Sequence, residues 1–394
     1  MAVDVERSQS SESRTSPSFF GMTDIIEKLL WDDCEEVRAA LAGNPNAPAA
    51  FLRRLFAINE MLRVLIESDE RLMRKKLARN PNTPADVLVR LAEDGRWEVR
   101  IEVARNPNTP ADVLVRLAED RDWEVRRAVA ENLSTPTDVL VKLAEDGRWE
   151  VRIEVARNPN TPADVLVRLA EDEECAVSME VARNPNTPTD ILAELVKNET
   201  WDVRQRVAKN PKAPVDVLVR LAKDTRDVVK AVAENPNAPV DVLVRLAEDR
   251  DWLIRTGVAK NTSTPINALV RLAEDEDWEV RAAVAENPNT PVDTLVRLAK
   301  DERWEVREAV AKNPNTPAEV LGNLARDRSY DVRAAVAKNE NTPAEVLVEL
   351  LRDRGIMKVV ARNPNIPIDV LRKLAENGDE EVRAAVASNP RIFG

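Results

Sequence analysis

The stretch GRWEVRIEVARNPNTPADVLVRLAED, residues 95–120, returns letter for letter at residues 147–172 and in altered form from residue 21 to the end of the chain. A period of this length marks stacked supersecondary units that bury one continuous core. The second proline of the recurring turn falls at Pro48, Pro84, Pro110, Pro136, Pro162, Pro188, Pro214, Pro239, Pro265, Pro291, Pro317, Pro343 and Pro367, a dominant spacing of 26 residues. Three steps depart from it: Pro48 to Pro84 carries ten extra residues, Pro214 to Pro239 loses one, and Pro343 to Pro367 loses two. With the opening unit, which lacks this proline, the chain holds 14 units.

Each unit reads as two helices. The expected longer one begins at Thr109, whose hydroxyl is placed to accept from first-turn N–H groups, with Pro110 at the first helical position and Asp112 completing a capping box. Val113, Leu114, Leu117 and Ala118 share one face of it. The expected shorter helix starts near Trp123 and buries Val125, Ala128, Val129 and Ala130. Helices this short do not persist alone in water, so stacking on neighbours supplies most of their stability. An asparagine closes the second helix in all 14 units, from Asn44 through Asn106 and Asn132 to Asn389. Asparagine tolerates left-handed backbone angles and bonds neighbouring main chain, so a stacked asparagine ladder is expected. A second row, Asp94, Asp120, Asp146, Asp172, Asp249, Asp275, Asp301 and Asp327, precedes Arg100, Arg126, Arg152, Arg204, Arg255, Arg281, Arg307 and Arg333, and predicts carboxylate–guanidinium pairs within or between units.

The string V-R-x-x-V-A-x-N-P-N-T-P-x-D-V-L-x-x-L-A-x-D resembles the variant leucine-rich repeat (LRV) family, and its D…VR element is similar to HEAT repeats. The resemblance covers residues 21–390 and implies an all-α fold, a right-handed α-solenoid of about 14 two-helix repeats. The units here are slightly longer than is usual for that family. Residues 1–20, polar and without periodicity, are expected to be a disordered tail. Residues 21–394 are expected to form a single solenoid, with a ten-residue helical insertion at about residues 57–66 of the second repeat. Some members of the family carry a cysteine cluster that binds an iron–sulfur centre. With only Cys34 and Cys175, no cofactor role carries over.

Composition narrows the function classes. Lys+Arg 58 against Asp+Glu 70 gives a net charge of -12, which argues against nucleic acid as a partner. No histidine is present, which removes the commonest general base and metal ligand. The two cysteines are 141 residues apart in a chain expected to be strung out along an axis, so no mutual disulfide is expected. No apolar run is long enough for a membrane span, and a cytoplasmic location is expected. Carboxylates recur identically in every unit, as structural or solvated groups do and a single active site does not.

The candidate contacts are therefore partner-binding residues. Trp97, Trp123, Trp149, Trp201, Trp252, Trp278 and Trp304 hold one repeat position, and Tyr330 continues the row. Either each indole covers the seam to its neighbour, or the row is an aromatic stripe that anchors an extended peptide or protein. Acidic loops before the tryptophans oppose a third reading, stacking on single-stranded nucleic acid. The basic row Arg90, Arg116, Lys142, Arg168, Arg220, Arg245, Arg271 and Arg297 is flanked by acids four residues away and is expected to pair within its own helices. In the enlarged second unit Ile58, Met61, Leu62 and Leu65 are candidate docking or dimerisation residues, so an oligomer through residues 51–66 is open. Positions that vary between copies, such as Gly95, Arg96 and Ile101, are further candidates. These features together predict a non-enzymatic scaffold for a protein or peptide. The rivals are a nucleic-acid-binding solenoid and a HEAT-like repeat enzyme, for which Cys175, standing where tryptophan is expected, is the place to look.

Overall fold

A computed structural model describes residues 29–32, 34–66 and 71–392. The expected tail, residues 1–20, and the opening positions Ile25 and Ile26 lie outside them. Among the described residues the chain is all-helical, with 27 α-helices, one short 3-10 turn at Pro390–Ile392 and no strand. None of these helices is long and apolar enough to cross a membrane. The residues fall into two compact units whose boundary lies between Leu169 and Ala170. Each is an α-solenoid of helix pairs, one repeat after another.

In the regular repeat a seven-residue helix such as Ala111–Leu117 precedes a nine-residue helix such as Trp123–Glu131. The expected order of lengths is thus reversed. The helix after the proline stops early because the chain tightens: Glu119 N–H donates to Arg116 O and Asp120 N–H to Leu117 O, both at 3.1 Å. Asp120 then caps the next turn, its carboxylate accepting from Asp122 N–H at 2.9 Å. Val113, Leu114, Val125, Val129 and Ala130 are fully inaccessible, as the periodicity requires. Within each compact unit the densest packing runs between successive nine-residue helices. Their facing surfaces are Val and Ala, small enough to bring backbones close.

The cap differs in detail from the expected one. Pro110 is the N-cap residue, with φ -58° and ψ 146°, and no side chain caps the helix that follows, so neither Thr109 nor Asp112 plays the expected role. The Thr109 hydroxyl instead donates backwards to Val103 O at 2.6 Å, adding to the Asn106 N–H bond at 3.1 Å on a last-turn carbonyl whose usual donor four residues on is missing at Pro107. Asn106 has extended rather than left-handed backbone angles, φ -66° and ψ 125°. Its side chain does the work. Nδ2 donates to Ala78 O at 2.7 Å and to Asn80 O at 2.9 Å in the previous repeat, while Oδ1 accepts from Asn108 N–H at 2.9 Å. The same three bonds recur at Asn132, Asn261, Asn287, Asn313, Asn339 and Asn389, so the expected ladder is present and each rung caps the helix one repeat earlier.

A second ladder runs through the arginines. Arg100 Nε and Nη2 hold Asp120 of the next repeat at 2.6 and 2.8 Å, and Nη1 donates to Asp94 O of its own at 2.8 Å. Arg126–Asp146, Arg204–Asp224, Arg255–Asp275, Arg281–Asp301 and Arg307–Asp327 repeat this fork. The expected pairs therefore form between repeats. Where Ser178 replaces the arginine, Asn198 stands in the aspartate's place, and where Met357 replaces it, Asn377 does. Charge is lost from both partners together, while Asn198 keeps the backbone role, accepting from Thr200 N–H at 2.9 Å. The third departure is Val229; there Arg226, at the tryptophan position, reaches Asp251.

Burial would raise the carboxyls of Asp120, Asp146, Asp301 and Asp327, but the guanidinium forks, together with a backbone N–H to each, hold them below the ordinary aspartate range. A carboxyl depressed in the folded state contributes stability above its unfolded pKa and loses it as pH falls through the folded value. Urea midpoints are thus expected to stay level from pH 7 to about pH 5 and to drop steeply below about pH 4, where unfolded aspartates take up protons. A midpoint unchanged down to about pH 2 would contradict the role given to the forks.

The enlarged second repeat contains the helix Ala49–Ile66, of 18 residues. Its length matches the expected insertion. Leu52, Leu55, Phe56 and Ile58 are buried, so this helix spends its apolar face on the fold as far as Ile58. Two residues fewer near the C-terminus shorten one nine-residue helix to Met357–Arg362.

Candidate protein-binding surface on the tryptophan row

Each tryptophan of the row is the first residue of a nine-residue helix, reached through an extended residue such as Arg96, φ -100° and ψ 122°. Placing the indole there turns one edge inward and leaves the other in solvent. Trp97, Trp149, Trp201, Trp252 and Trp304 are 37–41% exposed, and Tyr330 is 46% exposed with its hydroxyl donating to Gly355 O at 3.1 Å. Trp123 and Trp278 are more covered. The reason is a feature the sequence reading missed: the Arg148 guanidinium lies 4.9 Å above the Trp123 ring, and Arg303 lies 4.9 Å above Trp278. Each arginine is tied down from the other side, Arg148 to Glu150 at 2.9 Å and Arg303 to Glu305 at 2.8 Å. The available signal was the dipeptide Arg-Trp at 148–149 and 303–304, in which the arginine covers the indole of the repeat before its own.

The indoles border shallow grooves between adjacent nine-residue helices. One, of about 230 Å³, includes Trp97, Glu98, Ile101 and Glu124. Another, of about 300 Å³, includes Trp252, Thr256, Trp278 and Glu279. Ile101, a candidate contact because it varies between copies, is 6% exposed and only floors its groove. Arg127 and Glu308, at the same position in other repeats, reach Glu154 at 2.9 Å and Lys312 at 2.8 Å. Glu102 and Glu154 are buried glutamates that sequence reasoning did not single out; Glu154 accepts from both Arg127 and Arg157, the latter at 3.2 Å.

Five of the eight residues of the basic row are neutralised, though not within their own helices. Arg116 reaches Glu93 at 3.1 Å, Lys142 reaches Glu119 at 2.5 Å, Arg168 reaches Glu145 at 2.6 Å, and Arg271 reaches Glu248 at 2.6 Å, every partner lying one repeat earlier. Arg297 pairs with Glu274 in the same way. In the enlarged repeat Met61 is exposed and Ile58 is buried, so Ile58 belongs to the core rather than to a contact surface. Leu62 and Leu65 lie in the same helix, and their side chains fall outside the described residues. Cys34 and Cys175 are both free thiols; the Cys34 Sγ donates to Glu36 at 2.8 Å, and Cys175 is half-buried. Among the described residues no group of histidine, cysteine and acidic side chains could hold a metal ion.

The family model described as leucine rich repeat variant matches residues 97–122, 123–147, 149–174, 278–303, 304–329 and 330–355. These six repeats match the leucine rich repeat variant pattern. Among solved structures, the chain is similar to a leucine-rich repeat variant with a novel repetitive structural motif, 26% identical over 62% of this chain and 87% of that one, TM-score 0.38. It is also similar to importin beta, 13% identical over 92% of this chain and 55% of that one, TM-score 0.30. A third is the Pds5–Scc1 complex, 14% identical over 98% of this chain and 68% of that one, TM-score 0.25. Comparison with curated proteins returns no match. Each matched segment begins at a tryptophan or tyrosine of the row, so the family unit and the tryptophan row share one register.

Proposed function

We propose that this leucine rich repeat variant chain is a non-enzymatic scaffold that binds a protein or an extended peptide along the tryptophan row. The observation that carries the reading is the half-exposure of five indoles at one repeat position, beside polar rows whose charges are already paired. Large aromatics kept partly in water at regular intervals are what an interface uses as anchors. With five of its eight cations paired to glutamates, the basic row gives a phosphate backbone no continuous track, which supports a protein partner over a nucleic acid. Carboxylates held by arginine in one repeat after another do the same work each time, which supports a framework role over catalysis.

The test is selection of random twelve-residue peptides displayed on phage against the full chain. Selected peptides are expected to lose at least tenfold in affinity when Trp97, Trp201, Trp252 and Trp304 are replaced by alanine, with circular dichroism confirming that the variant stays helical. Binders that ignore all four replacements would place recognition elsewhere and overturn the proposal.

A further inference from the structure

We infer that Trp97 and Trp252 are arginine-accepting sites, so the partner segment this surface fits is one that carries arginine side chains. The inference rests on the scaffold reading and names the chemistry of its partner. The chain supplies its own demonstration of what such a site holds. In two repeats a guanidinium is clamped between an indole and the glutamate one repeat on: Arg148 between Trp123 and Glu150, and Arg303 between Trp278 and Glu305. In two others the same indole and the same glutamate are present and the arginine is not. Trp97 and Glu124 line one groove, of about 230 Å³, and Trp252 and Glu279 line another, of about 300 Å³. Where the internal arginine would start, these repeats have Asp122 and Asp277.

The backbone at the four positions is the same. Arg148 and Arg303 have φ/ψ of -98°/118° and -82°/125°; Asp122 and Asp277 have -85°/121° and -82°/123°. An incoming guanidinium therefore meets an indole and a glutamate of the kind that hold one elsewhere, while the aspartates are engaged within the fold, Asp122 accepting from Glu124 N–H at 3.0 Å and Asp277 held by Arg255 at 2.7 Å. Among the described residues no cation lies over Trp97 or Trp252, and Glu124 and Glu279 have no salt bridge. Of the cations lining the Trp97 groove, Arg127 is held by Glu154 at 2.9 Å, Arg105 by Glu131 at 3.3 Å and Lys75 by Glu102 at 3.8 Å; of those lining the Trp252 groove, Lys230 is held by Glu234 at 3.5 Å, and Lys260 is the cation an incoming arginine would displace. Arginine fits better than lysine, because its flat group stacks on the indole and donates to the carboxylate at the same time.

Titrating the full chain, with its indole nitrogens labelled, with a capped tetra-arginine peptide tests this by NMR. The signals of Trp97 and Trp252, assigned through single Trp→Phe variants, are expected to shift, with that of Trp123 unmoved and that of Trp278, which borders the Trp252 groove, moving less than that of Trp252. A tetra-citrulline peptide, isosteric and uncharged, should bind at least tenfold more weakly. Asp122→Arg with Asp277→Arg should fill both sites from within and weaken tetra-arginine at least tenfold; Arg148→Asp with Arg303→Asp should bring Trp123 and Trp278 into the response. Unmoved Trp97 and Trp252 signals, or equal shifts with citrulline, would overturn the inference. In that event a phage-selected peptide that still moves the same signals would leave the scaffold reading standing, and failure of every selected peptide to move them would remove both.

Discussion

Asn132→Ala is expected to destabilise the protein by about 3 kcal/mol, far more than a surface asparagine would, because its amide closes three bonds that nothing else can close. Nδ2 donates to Ala104 O at 2.6 Å and Asn106 O at 3.0 Å, and Oδ1 accepts from Ser134 N–H at 2.8 Å. Ala104 O lies in the last turn of its helix, and the N–H that would continue the ladder, that of Asn108, is already given to Asn106 Oδ1. The residue is 6% exposed, so water does not replace the lost amide. Asn132→Asp should cost as much or more, since a carboxylate oxygen would then face two carbonyls. In a linear array coupled only through neighbours, the damage is local. Urea unfolding followed by circular dichroism is expected to show a lowered midpoint, or a transition split in two. A midpoint within experimental scatter of the parent would remove the ladder from the account.

The second large effect is expected at Arg281. Arg281→Ala should cost about 3–5 kcal/mol, because it leaves Asp301 buried without its counter-charge. The fork holds Asp301 at 2.6 and 3.0 Å and ties back to Asp275 O at 2.8 Å, with both side chains about nine-tenths buried. Arg281→Lys keeps the charge and loses the fork, so it should fall about half-way. The double replacement Arg281→Met with Asp301→Asn should cost less than Arg281→Ala alone. The chain already contains that solution as Met357 with Asn377, and a related one as Ser178 with Asn198. A double-mutant cycle from denaturant midpoints gives the coupling; additive losses would mean that the two side chains do not act as a pair.

Much of this framework was legible in the sequence. The helix pair, the buried Val125, Ala128, Val129 and Ala130, the asparagine rows and the Asp–Arg rows follow from periodicity and residue type alone. The direction of the pairing does not. In a chain that repeats every 26 residues, each acid recurs once per repeat, so a partner four residues away and one 23 residues away are equally visible. Arg116 illustrates it: Asp112 and Asp120 sit four residues off on its own strand of sequence, but it is Glu93, one repeat back, that it reaches. Thr109 shows the same ambiguity along the chain, since a hydroxyl beside a helix start is equally close to the preceding helix end, and the carbonyl of Val103, which Pro107 cannot serve, decides the matter.

At the proposed binding surface, the tryptophan positions could be read but their states could not. Whether an indole is open or covered depends on the residue before the next tryptophan, which acts across a repeat boundary. Arg148 and Arg303 cover; Asp122 and Asp277 do not. The variable residue Ile101 looked like a contact and is buried, because the side chain at that position packs inward when it is aliphatic and reaches out to a neighbouring charge when it is Arg127 or Glu308.

The central claim is a division of labour: asparagine and arginine side chains hold repeat to repeat, and the tryptophans are kept for a partner. Comparing the urea midpoints of Trp252→Ala and Asn261→Ala, two changes at opposite ends of the same nine-residue helix, tests it most directly. The indole is 37% exposed, whereas Asn261 is 4% exposed and bonds Ala233 O and Asn235 O at 2.8 and 2.7 Å. The tryptophan change is expected to cost about 2 kcal/mol, from the part of its ring that is buried, and the asparagine change about 3 kcal/mol. Equal losses, or a larger loss at Trp252, would show that the indoles are framework and contradict the account.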